Sequence, residues 1–302
     1  MAYRLIFILL VVLFGCSLED QNETNTKLSI VTTTGMIADA VKNIVGDSAE
    51  VIALMGSGVD PHLYKATQGD LEKLTDADII IYNGLHLEGK MGEVLEKLSR
   101  VKSVIAIADG LEKTELRTTP EYTSYDPHIW FDVKMWRKAI EYTAMELGKS
   151  RPSANHYFNR NLNDYSRKLD TLDSWIIKKI TEIPEKKRVL ITAHDAFGYF
   201  GEAYGLEVKG LQGISTLSEY GLRDVADLVD YIVEKEINAV FIETSVSEKA
   251  INAVVQGCKQ KGFNISIGGS LFSDAMGAEN SLEGTYLGMV RSNVLTIVKA
   301  LK

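Results

Sequence analysis

Apolar residues along this chain alternate between short unbroken runs and stretches in which they return every three or four positions. The first run, Leu28 to Val31, has the length of a buried strand, and the residues from Met36 to Ile44 then follow helical spacing. Short apolar strands separated by amphipathic helices are typical of parallel sheets with crossover helices. The chain is therefore predicted to open as an α/β unit.

The same alternation continues to the end of the chain. In the first half, it predicts further strands at 51–54, 79–82 and 104–107 and helices at 67–75, 90–98 and 133–147. In the second half, it predicts strands at 189–192, 208–211, 239–242 and 265–267 and helices at 197–204, 222–234, 248–260 and 285–300. We expect an α/β protein with two lobes, each a parallel sheet flanked by helices.

The longest helical pattern lies between these two halves. It begins near Pro152, a residue suited to the first turn of a helix, and continues to Ile180. A helix over 152–181 would be roughly 45 Å long at 1.5 Å per residue, which is enough to cross a two-lobed protein. We predict one long rigid helix at 151–182 that joins a first lobe at 28–150 to a second lobe at 183–302.

The first residues follow a different pattern. Arg4 precedes an apolar run from Leu5 to Phe14, which is typical of a secretory signal and too short to span a bilayer. The run ends in Leu-Phe-Gly-Cys16, which resembles the lipobox of bacterial lipoproteins. We expect a signal peptide at 1–15, lipidation of Cys16 and a flexible tether at 16–27, which would anchor the protein in the periplasm or at the cell surface. A plain signal peptide with a chance cysteine is the alternative.

Composition excludes two classes of protein. The 302 residues carry a formal net charge of −8, whereas a nucleic-acid surface needs a basic face, so no nucleic-acid partner is expected. If Cys16 is acylated, Cys258 has no partner, which excludes a framework of intramolecular disulfides. A cationic ligand suits this charge better than an anionic one.

Candidate metal ligands follow several of the predicted strands. Ligands of open parallel sheets bind beyond the carboxyl ends of the strands, and His194, Glu243 and Asp274 fall there in the second half. The first half has two Asp-Pro-His tripeptides, at 60–62 and 126–128, in which proline fixes the backbone and the aspartate can orient the ring or the loop. Histidine and carboxylate are ligands of zinc, manganese and iron. The spacing matches no compact zinc motif, so a structural role for each histidine stays open.

Seven segments of the chain carry a further resemblance: Thr33 to Asp39, Gly58 to Tyr64, Asn83 to Glu88, Asp126 to Asp132, Thr192 to Phe200, Gly210 to Thr216, and Leu271 to Gly277. Together they resemble the cation-specific solute-binding family of zinc and manganese ABC importers, most closely its TroA-like members. The resemblance runs from about Leu28 to the C-terminus. It implies two lobes that hold a metal ion in the cleft between them.

The resemblance also implies a ligand set, two residues from each lobe: His62, His128, His194 and Asp274. The family does not use the position of Glu243 as a ligand, so Glu243 is interpreted as a hydrogen-bond partner of the site. His86 and His156 are interpreted as structural, and Asp195 need not touch the ion. Because ligation requires neutral imidazoles, metal binding should weaken as the pH falls.

The function implied by the resemblance is that of a substrate-binding lipoprotein, not an enzyme. A monomer would capture one Zn²⁺ or Mn²⁺ and deliver it to the membrane permease of an ABC importer and its ATPase. Manganese-dedicated relatives often have glutamate at the position of His194, and zinc-dedicated relatives often have a histidine-rich loop, which the polar loop at 113–126 lacks. The choice between zinc and manganese therefore stays open.

Two other functions compete with this hypothesis. A metal-dependent periplasmic hydrolase could use the same ligands, but it would need an open coordination position and a general base, for which Glu243 is the candidate. A surface adhesin is the second alternative, because relatives of this family often carry that label. Neither alternative explains the four ligand positions together with the lipobox.

Overall fold

The first half of the protein is built on a four-stranded parallel sheet. The computed structural model describes residues 27–118 and 124–302, so the predicted signal peptide, Cys16 and all but the last residue of the predicted tether lie outside the described residues. The strands are β1 (Leu28–Thr32), β2 (Ala49–Ala53), β3 (Ile79–Tyr82) and β4 (Ser103–Ala106), in the order β2-β1-β3-β4. The helices are α1 (Gly35–Val45), α2 (Gln68–Asp76), α3 (Gly92–Ser99) and α4 (Val133–Ser150).

The predicted long helix follows. A 3-10 turn over Pro152–Ala154 leads into α5 (Asn155–Ile180), whose 26 residues give a length of about 39 Å. Its buried side chains, among them Phe158, Leu169 and Ile176, return at helical intervals. The predicted helix is confirmed, with Pro152 in the preceding turn instead of the helix itself.

The second half repeats the strand order of the first. Its strands are β5 (Val189–His194), β6 (Glu207–Gln212), β7 (Ala239–Glu243) and β8 (Ser266–Leu271), and its helices are α6 (Gly198–Tyr204), α7 (Leu222–Glu234), α8 (Lys249–Gln260) and α9 (Tyr286–Leu301). β5 pairs with β6 and β7 with β8, both in parallel, as two two-stranded sheets instead of the single sheet that the pattern predicted. β5 lies beside β7, but the two strands share no hydrogen-bonded ladder in the described residues. The spatial order β6-β5-β7-β8 thus matches β2-β1-β3-β4. In each lobe, the crossover direction reverses between the two central strands, which is where open sheets bind ligands.

One apolar core runs through both lobes. It joins Ile30 and Trp136 of the first half to Phe197 and Tyr286 of the second. α5 lies in the middle of this core, because it packs against α1 and α4 on one side and α6 and α9 on the other. Two smaller clusters cover the remaining faces of the sheets. Among the described residues, no helix combines the length and apolarity needed to cross a membrane.

β8 is longer than the predicted strand at 265–267. It continues through Gly268 and Gly269 to Leu271. The two glycines lack the apolar side chains by which the pattern predicts a strand. A Cβ on Gly268 would lie 2.7 Å from the Ala300 side chain and 2.9 Å from the Phe241 ring. Close packing against β7 and α9 therefore accounts for glycine in this strand. Because β8 continues to Leu271, it ends three residues before Asp274.

Two helix caps fix the segments that follow the Asp-Pro-His tripeptides. Thr67 and Asp70 form a capping box at the start of α2, and the Tyr64 hydroxyl donates to the Asp70 carboxylate over 2.6 Å. Asp132 caps α4 by accepting hydrogen bonds from the backbone N–H groups of Lys134 and Met135. The first cap fixes the connection between His62 and α2, and the second fixes the connection between His128 and α4.

We expect Gly210→Ala to destabilise the protein by about 1–3 kcal/mol, because β6 passes too close to the end of β5 for a side chain. A Cβ at Gly210 would lie 2.3 Å from the backbone nitrogen of Asp195 and 2.5 Å from the carbonyl carbon of His194. Urea unfolding followed by circular dichroism measures the change. Gly92→Ala is the matched control, since a Cβ there meets nothing within 4 Å. Equal stability of the two variants would show that the close approach is tolerated.

Candidate metal centre

Four side chains from distant parts of the chain meet between the two lobes: His62, His128, His194 and Asp274. Each offers one ligand-type atom, these atoms all lie within 4.8 Å of one another, and all four residues are buried. The Nε2 atoms of His128 and His194 lie 3.4 and 3.2 Å from the Asp274 carboxylate. His62 Nε2 lies 3.9 Å from the same carboxylate. The structure brings together the four predicted residues, two from each lobe.

A buried carboxylate orients His128. Asp126 Oδ1 lies 2.7 Å from His128 Nδ1 and accepts a hydrogen bond from the His128 backbone N–H over 3.0 Å. With Nδ1 engaged, the ring presents Nε2 to Asp274. The side chains of Asp126 and His128 are both fully buried, so this orientation is fixed by the protein itself.

His194 is oriented in the same way by Glu243. His194 is the last residue of β5 and Glu243 the last residue of β7, so the two meet where the crossover direction of the second lobe reverses. Glu243 Oε2 lies 2.6 Å from His194 Nδ1, and Glu243 Oε1 accepts from the His194 backbone N–H over 2.9 Å. Glu243 is absent from the group of four and instead holds one member of it.

His62 is held differently, although it belongs to the same kind of tripeptide. Asp60 Oδ1 accepts from the His62 backbone N–H over 2.8 Å. The His62 ring nitrogen Nδ1 is buried and makes no hydrogen bond to the described part of the chain. The two aspartates of the Asp-Pro-His tripeptides therefore differ. Asp126 holds both the ring and the backbone of His128, whereas Asp60 holds the backbone of His62 and not its ring.

Asp274 is positioned through its neighbour Ser273. The indole N–H of Trp130, two residues after His128, donates to the Ser273 carbonyl over 3.0 Å. The Ser273 hydroxyl lies 2.9 Å from that of Ser245, two residues after Glu243. The segment that contains Asp274 is thus hydrogen-bonded to the segment that contains His128 and to the segment that contains Glu243.

Several polar atoms in this cluster are buried without a hydrogen-bond partner in the described residues, among them His194 Nε2 and both carboxylate oxygens of Asp274. Leaving one such atom unpaired costs about 1–3 kcal/mol. Three imidazole nitrogens with one carboxylate form a donor set for zinc, manganese or iron. The residues present therefore fit one divalent transition metal ion.

Comparison with known proteins agrees with this chemistry. A family model described as zinc-uptake complex component A, periplasmic (ZnuA), matches residues 30–300. This chain belongs to the ZnuA family.

Three relatives of the ZnuA family member described here have names that mention a metal. The manganese-binding lipoprotein MntA of Bacillus subtilis is 51% identical over 291 residues, which cover 96% of this chain and 95% of MntA. The zinc-binding protein TroA of Treponema pallidum is 48% identical over 272 residues, 90% of this chain and 88% of TroA. The manganese ABC transporter substrate-binding lipoprotein PsaA of Streptococcus pneumoniae is 30% identical over 305 residues, 98% of this chain and 96% of PsaA.

A solved structure shows the same fold. The periplasmic zinc-binding protein TroA from Treponema pallidum superposes with a TM-score of 0.89 at 47% identity, covering 91% of this chain and 99% of that structure. The two-lobed α/β architecture predicted from the sequence is thus confirmed, together with the family resemblance.

The first lobe of this ZnuA family member contains a polar network that the sequence did not predict. Glu88 is fully buried, and its Oε1 accepts from the Thr33 hydroxyl and the Asn83 backbone N–H, each over 2.7 Å. Burial raises the pKa of Glu88, although the hydrogen bonds oppose this. The Asn83 amide donates to the Pro127 carbonyl over 3.0 Å. Glu88 thus ties the ends of β1 and β3 to the loop that carries His128.

Arg117 is a second residue that sequence reasoning missed, since the loop at 113–126 was noted only for its lack of histidine. Its guanidinium donates to Asp126 Oδ2 and to Glu202 Oε1 on α6, each over 2.7 Å. The Tyr199 hydroxyl, also on α6, donates to the Asp126 carbonyl over 3.0 Å. The aspartate that orients His128 is therefore bound by groups from both lobes. Residues 119–123 of this loop lie outside the described residues.

The remaining candidates, His86, His156 and Asp195, are not members of the group of four. His86 and His156 are both exposed, one in the loop after β3 and the other in the first turn of α5. Asp195 follows His194 directly but is not a member of the group of four. The interpretation of these three residues as non-ligands stays a prediction.

Electrostatics differ among the three histidines. For His62, burial lowers the pKa to about 3. For His128, burial also disfavours the charged ring, but the carboxylates of Asp126 and Asp274 overcome this and raise its pKa to about 9. For His194, burial is likewise overcome by Glu243 and Asp274, and the pKa is raised well above its ordinary value. A metal ion must therefore compete with protons at two rings but not at His62.

Metal affinity is expected to fall as the pH is lowered from 8 to 6. Below about pH 9, His128 carries a proton in the metal-free protein, and this proton must leave when the ring ligates a cation. Each such proton makes the dissociation constant rise about tenfold per pH unit. Competition with a chelator of known affinity at pH 6, 7 and 8 measures the slope. A dissociation constant that does not change over this range would contradict the expectation.

Proposed function

We propose that this protein is the substrate-binding lipoprotein of an ABC importer, which captures one Zn²⁺ or Mn²⁺ per chain. The observation that supports this most strongly is the meeting of His62, His128, His194 and Asp274, two from each lobe, in a buried cluster within 4.8 Å. A set of ligands contributed by both lobes couples metal binding to the relative position of the lobes. That coupling is what a carrier needs if a permease is to distinguish its loaded form.

The identity of the substrate ion follows less directly. Among the relatives, MntA and PsaA are named for manganese and TroA for zinc. Imidazole favours zinc, and each carboxylate shifts the preference towards harder ions such as manganese. With three histidines and one aspartate, the chemistry of the site favours zinc, while the relative of highest identity named above binds manganese. We therefore propose both ions as substrates.

The proposal includes a division of the chain and a location. Residues 1–15 would be a lipoprotein signal peptide and Cys16 the lipidated residue, with 16–27 as a tether that anchors the protein in the periplasm or at the cell surface. The first lobe would comprise 28–150, the connecting helix 151–182 and the second lobe 183–302. The names of MntA and PsaA as lipoproteins support the anchor. The partners of this monomer would be a membrane permease and its ATPase.

A metal-dependent hydrolase is a poorer match to the geometry. A general base must have a free carboxylate or imidazole beside the ion. Both oxygens of Glu243, the candidate base, accept hydrogen bonds from His194, and Asp126 is bound by His128 and Arg117. The names of the relatives describe metal-binding and transport proteins instead of enzymes or adhesins. We accordingly propose no catalytic residue.

Metal analysis of the purified protein, without its first 27 residues, tests the proposal directly. After equilibration with equal and limiting Zn²⁺ and Mn²⁺, we expect one ion per chain, and its identity names the preferred substrate. His194→Ala should lose the ion, whereas His156→Ala should keep it, because His156 is exposed on α5. Absence of bound metal in the unmodified protein, or retention of the ion in His194→Ala, would overturn the assignment.

A further inference from the structure

The loop between β6 and α7, residues 213–221, reaches from the second lobe to the first. We call it the crossing loop. It follows Gln212, which pairs with His194 in the sheet. From there, the Thr216 hydroxyl donates to Asp60 Oδ2 in the first lobe over 2.7 Å. The crossing loop thus begins beside His194 and is hydrogen-bonded to the segment that contains His62.

Asp60 is shared between two partners. Its Oδ2 atom accepts from Thr216, and its Oδ1 atom accepts from the His62 backbone N–H over 2.8 Å. One carboxylate therefore links the second lobe to the backbone of His62. Movement of Thr216 away from Asp60 would remove one of the two bonds that hold this carboxylate in place.

The ring of His62 lacks the kind of hydrogen-bond partner that the rings of the other two histidines have. The rings of His128 and His194 are each held through Nδ1 by a carboxylate, Asp126 or Glu243. The Nδ1 atom of His62 has no partner in the described residues. Its position is set by the backbone of its own segment, and Asp60 holds that backbone.

The crossing loop is itself held in place. The Gln212 amide donates to the Ser218 carbonyl over 3.0 Å, and the Ser218 backbone N–H donates to the Ser215 carbonyl over 3.0 Å. The segment before His62 also lies near the second lobe, since a Cβ on Gly58 would be 3.5 Å from the Thr244 carbonyl oxygen. Thr216 therefore lies in a hydrogen-bonded turn. The crossing loop and the segment that contains Asp60 face each other across the cleft.

We propose that Thr216 acts as a latch that slows release of the bound ion by holding Asp60, and through it His62, in the closed cleft. This inference rests on the proposed function, since it requires the four-residue cluster to bind metal. Thr216 is not in the group of four and is a positioning residue. For His62 to withdraw from the ion with its segment, the bond between Thr216 and Asp60 must break.

The latch predicts an effect on dissociation in particular. A hydrogen bond to a charged carboxylate is stronger than one between neutral groups, so its loss is expected to raise the dissociation rate about tenfold. The number of ions bound per chain should stay at one, because all four ligands remain. A merely structural role for Thr216 would instead lower the stability of the metal-free protein and leave the dissociation rate unchanged.

Three variants separate these outcomes. Thr216→Val removes the hydroxyl with little change in shape, Thr216→Ser keeps it, and Thr171→Val makes the same change at an exposed position of α5, where the hydroxyl donates to the Arg167 carbonyl. Zinc-loaded protein is mixed with excess chromogenic chelator in a stopped-flow instrument, and the rate of zinc release is recorded. Thermal unfolding of the metal-free variants is measured alongside.

We expect faster release in Thr216→Val only, with release from Thr216→Ser and Thr171→Val close to that of the unmodified protein. Bound zinc with an unchanged release rate in Thr216→Val would overturn the latch and leave the proposed function standing. Equal acceleration in Thr216→Val and Thr171→Val would also overturn it. Failure of the unmodified protein to bind either zinc or manganese would overturn the proposed function and the latch with it.

Discussion

Replacing Asp274 with alanine is expected to weaken metal binding by about 100- to 1,000-fold. Asp274 lies within 3.9 Å of Nε2 of all three histidines and is the one carboxylate in the group of four. Four-ligand zinc sites in small domains bind with roughly 10–16 kcal/mol, so one ligand in four contributes about 3–4 kcal/mol. That amount corresponds to the expected loss of affinity.

Two measurements check the Asp274→Ala variant. Isothermal titration should give a dissociation constant for zinc raised by about 100- to 1,000-fold. The rise in melting temperature that metal gives the unmodified protein should become smaller at the same zinc concentration. Asp195→Asn is the matched control, because Asp195 is a half-buried carboxylate next to His194 that lies outside the group of four. Full affinity in Asp274→Ala, or an equal loss in Asp195→Asn, would mean that Asp274 is not a ligand.

Glu243→Gln is expected to lower metal affinity by about 10- to 100-fold, the usual cost of losing a partner that orients a ligating histidine. The Glu243 carboxylate accepts from both the ring and the backbone of His194. A glutamine has one acceptor oxygen, so its amide N–H₂ group would face one of these two donors. His194 would then lose either its ring orientation or its backbone support, while the ion would keep all four ligands.

The Glu243→Gln variant is best measured beside Glu219→Gln, a change of the same kind in the crossing loop at a residue exposed to solvent. Metal stoichiometry should remain at one ion per chain, which distinguishes a weakened site from a lost one. Complete loss of the ion would suggest that Glu243 is itself a ligand, contrary to its place outside the group of four. Unchanged affinity would show that the His194 ring is held by the strand alone.

Periodicity and the rule for strand ends were sufficient to predict much of this protein. The apolar pattern located each strand of the described residues. The rule placed His194 and Glu243 at the carboxyl ends of neighbouring strands in the second half, where they are hydrogen-bonded to each other. The ligand set itself came from the family resemblance, since residues 66 or more positions apart carry no local signal. In the structure, Glu243 is hydrogen-bonded to His194, whereas Asp274 belongs to the group of four.

Polar contacts between distant segments could not be predicted. The Thr216 hydroxyl and Asp60 are 156 positions apart, Arg117 and Glu202 are 85 apart, and Thr33 and Glu88 are 55 apart. Each contact depends on how elements pack, and a single polar residue leaves no periodic trace. The two Asp-Pro-His tripeptides show this limit. Their identical sequence predicts the same role for Asp60 and Asp126, but in the structure only Asp126 is hydrogen-bonded to the ring of its histidine.

The last helix closes the core of the first lobe. Tyr286, the first residue of α9, stacks on Trp136 with ring centroids 5.3 Å apart, and its backbone N–H donates to Asp39, 247 positions earlier, over 3.1 Å. Contacts of such long range form late, because the entropy of closing the intervening chain must be overcome first. The native core of the first lobe is therefore incomplete until α9 is in place, and a chain without α9 would lose the ring that stacks on Trp136.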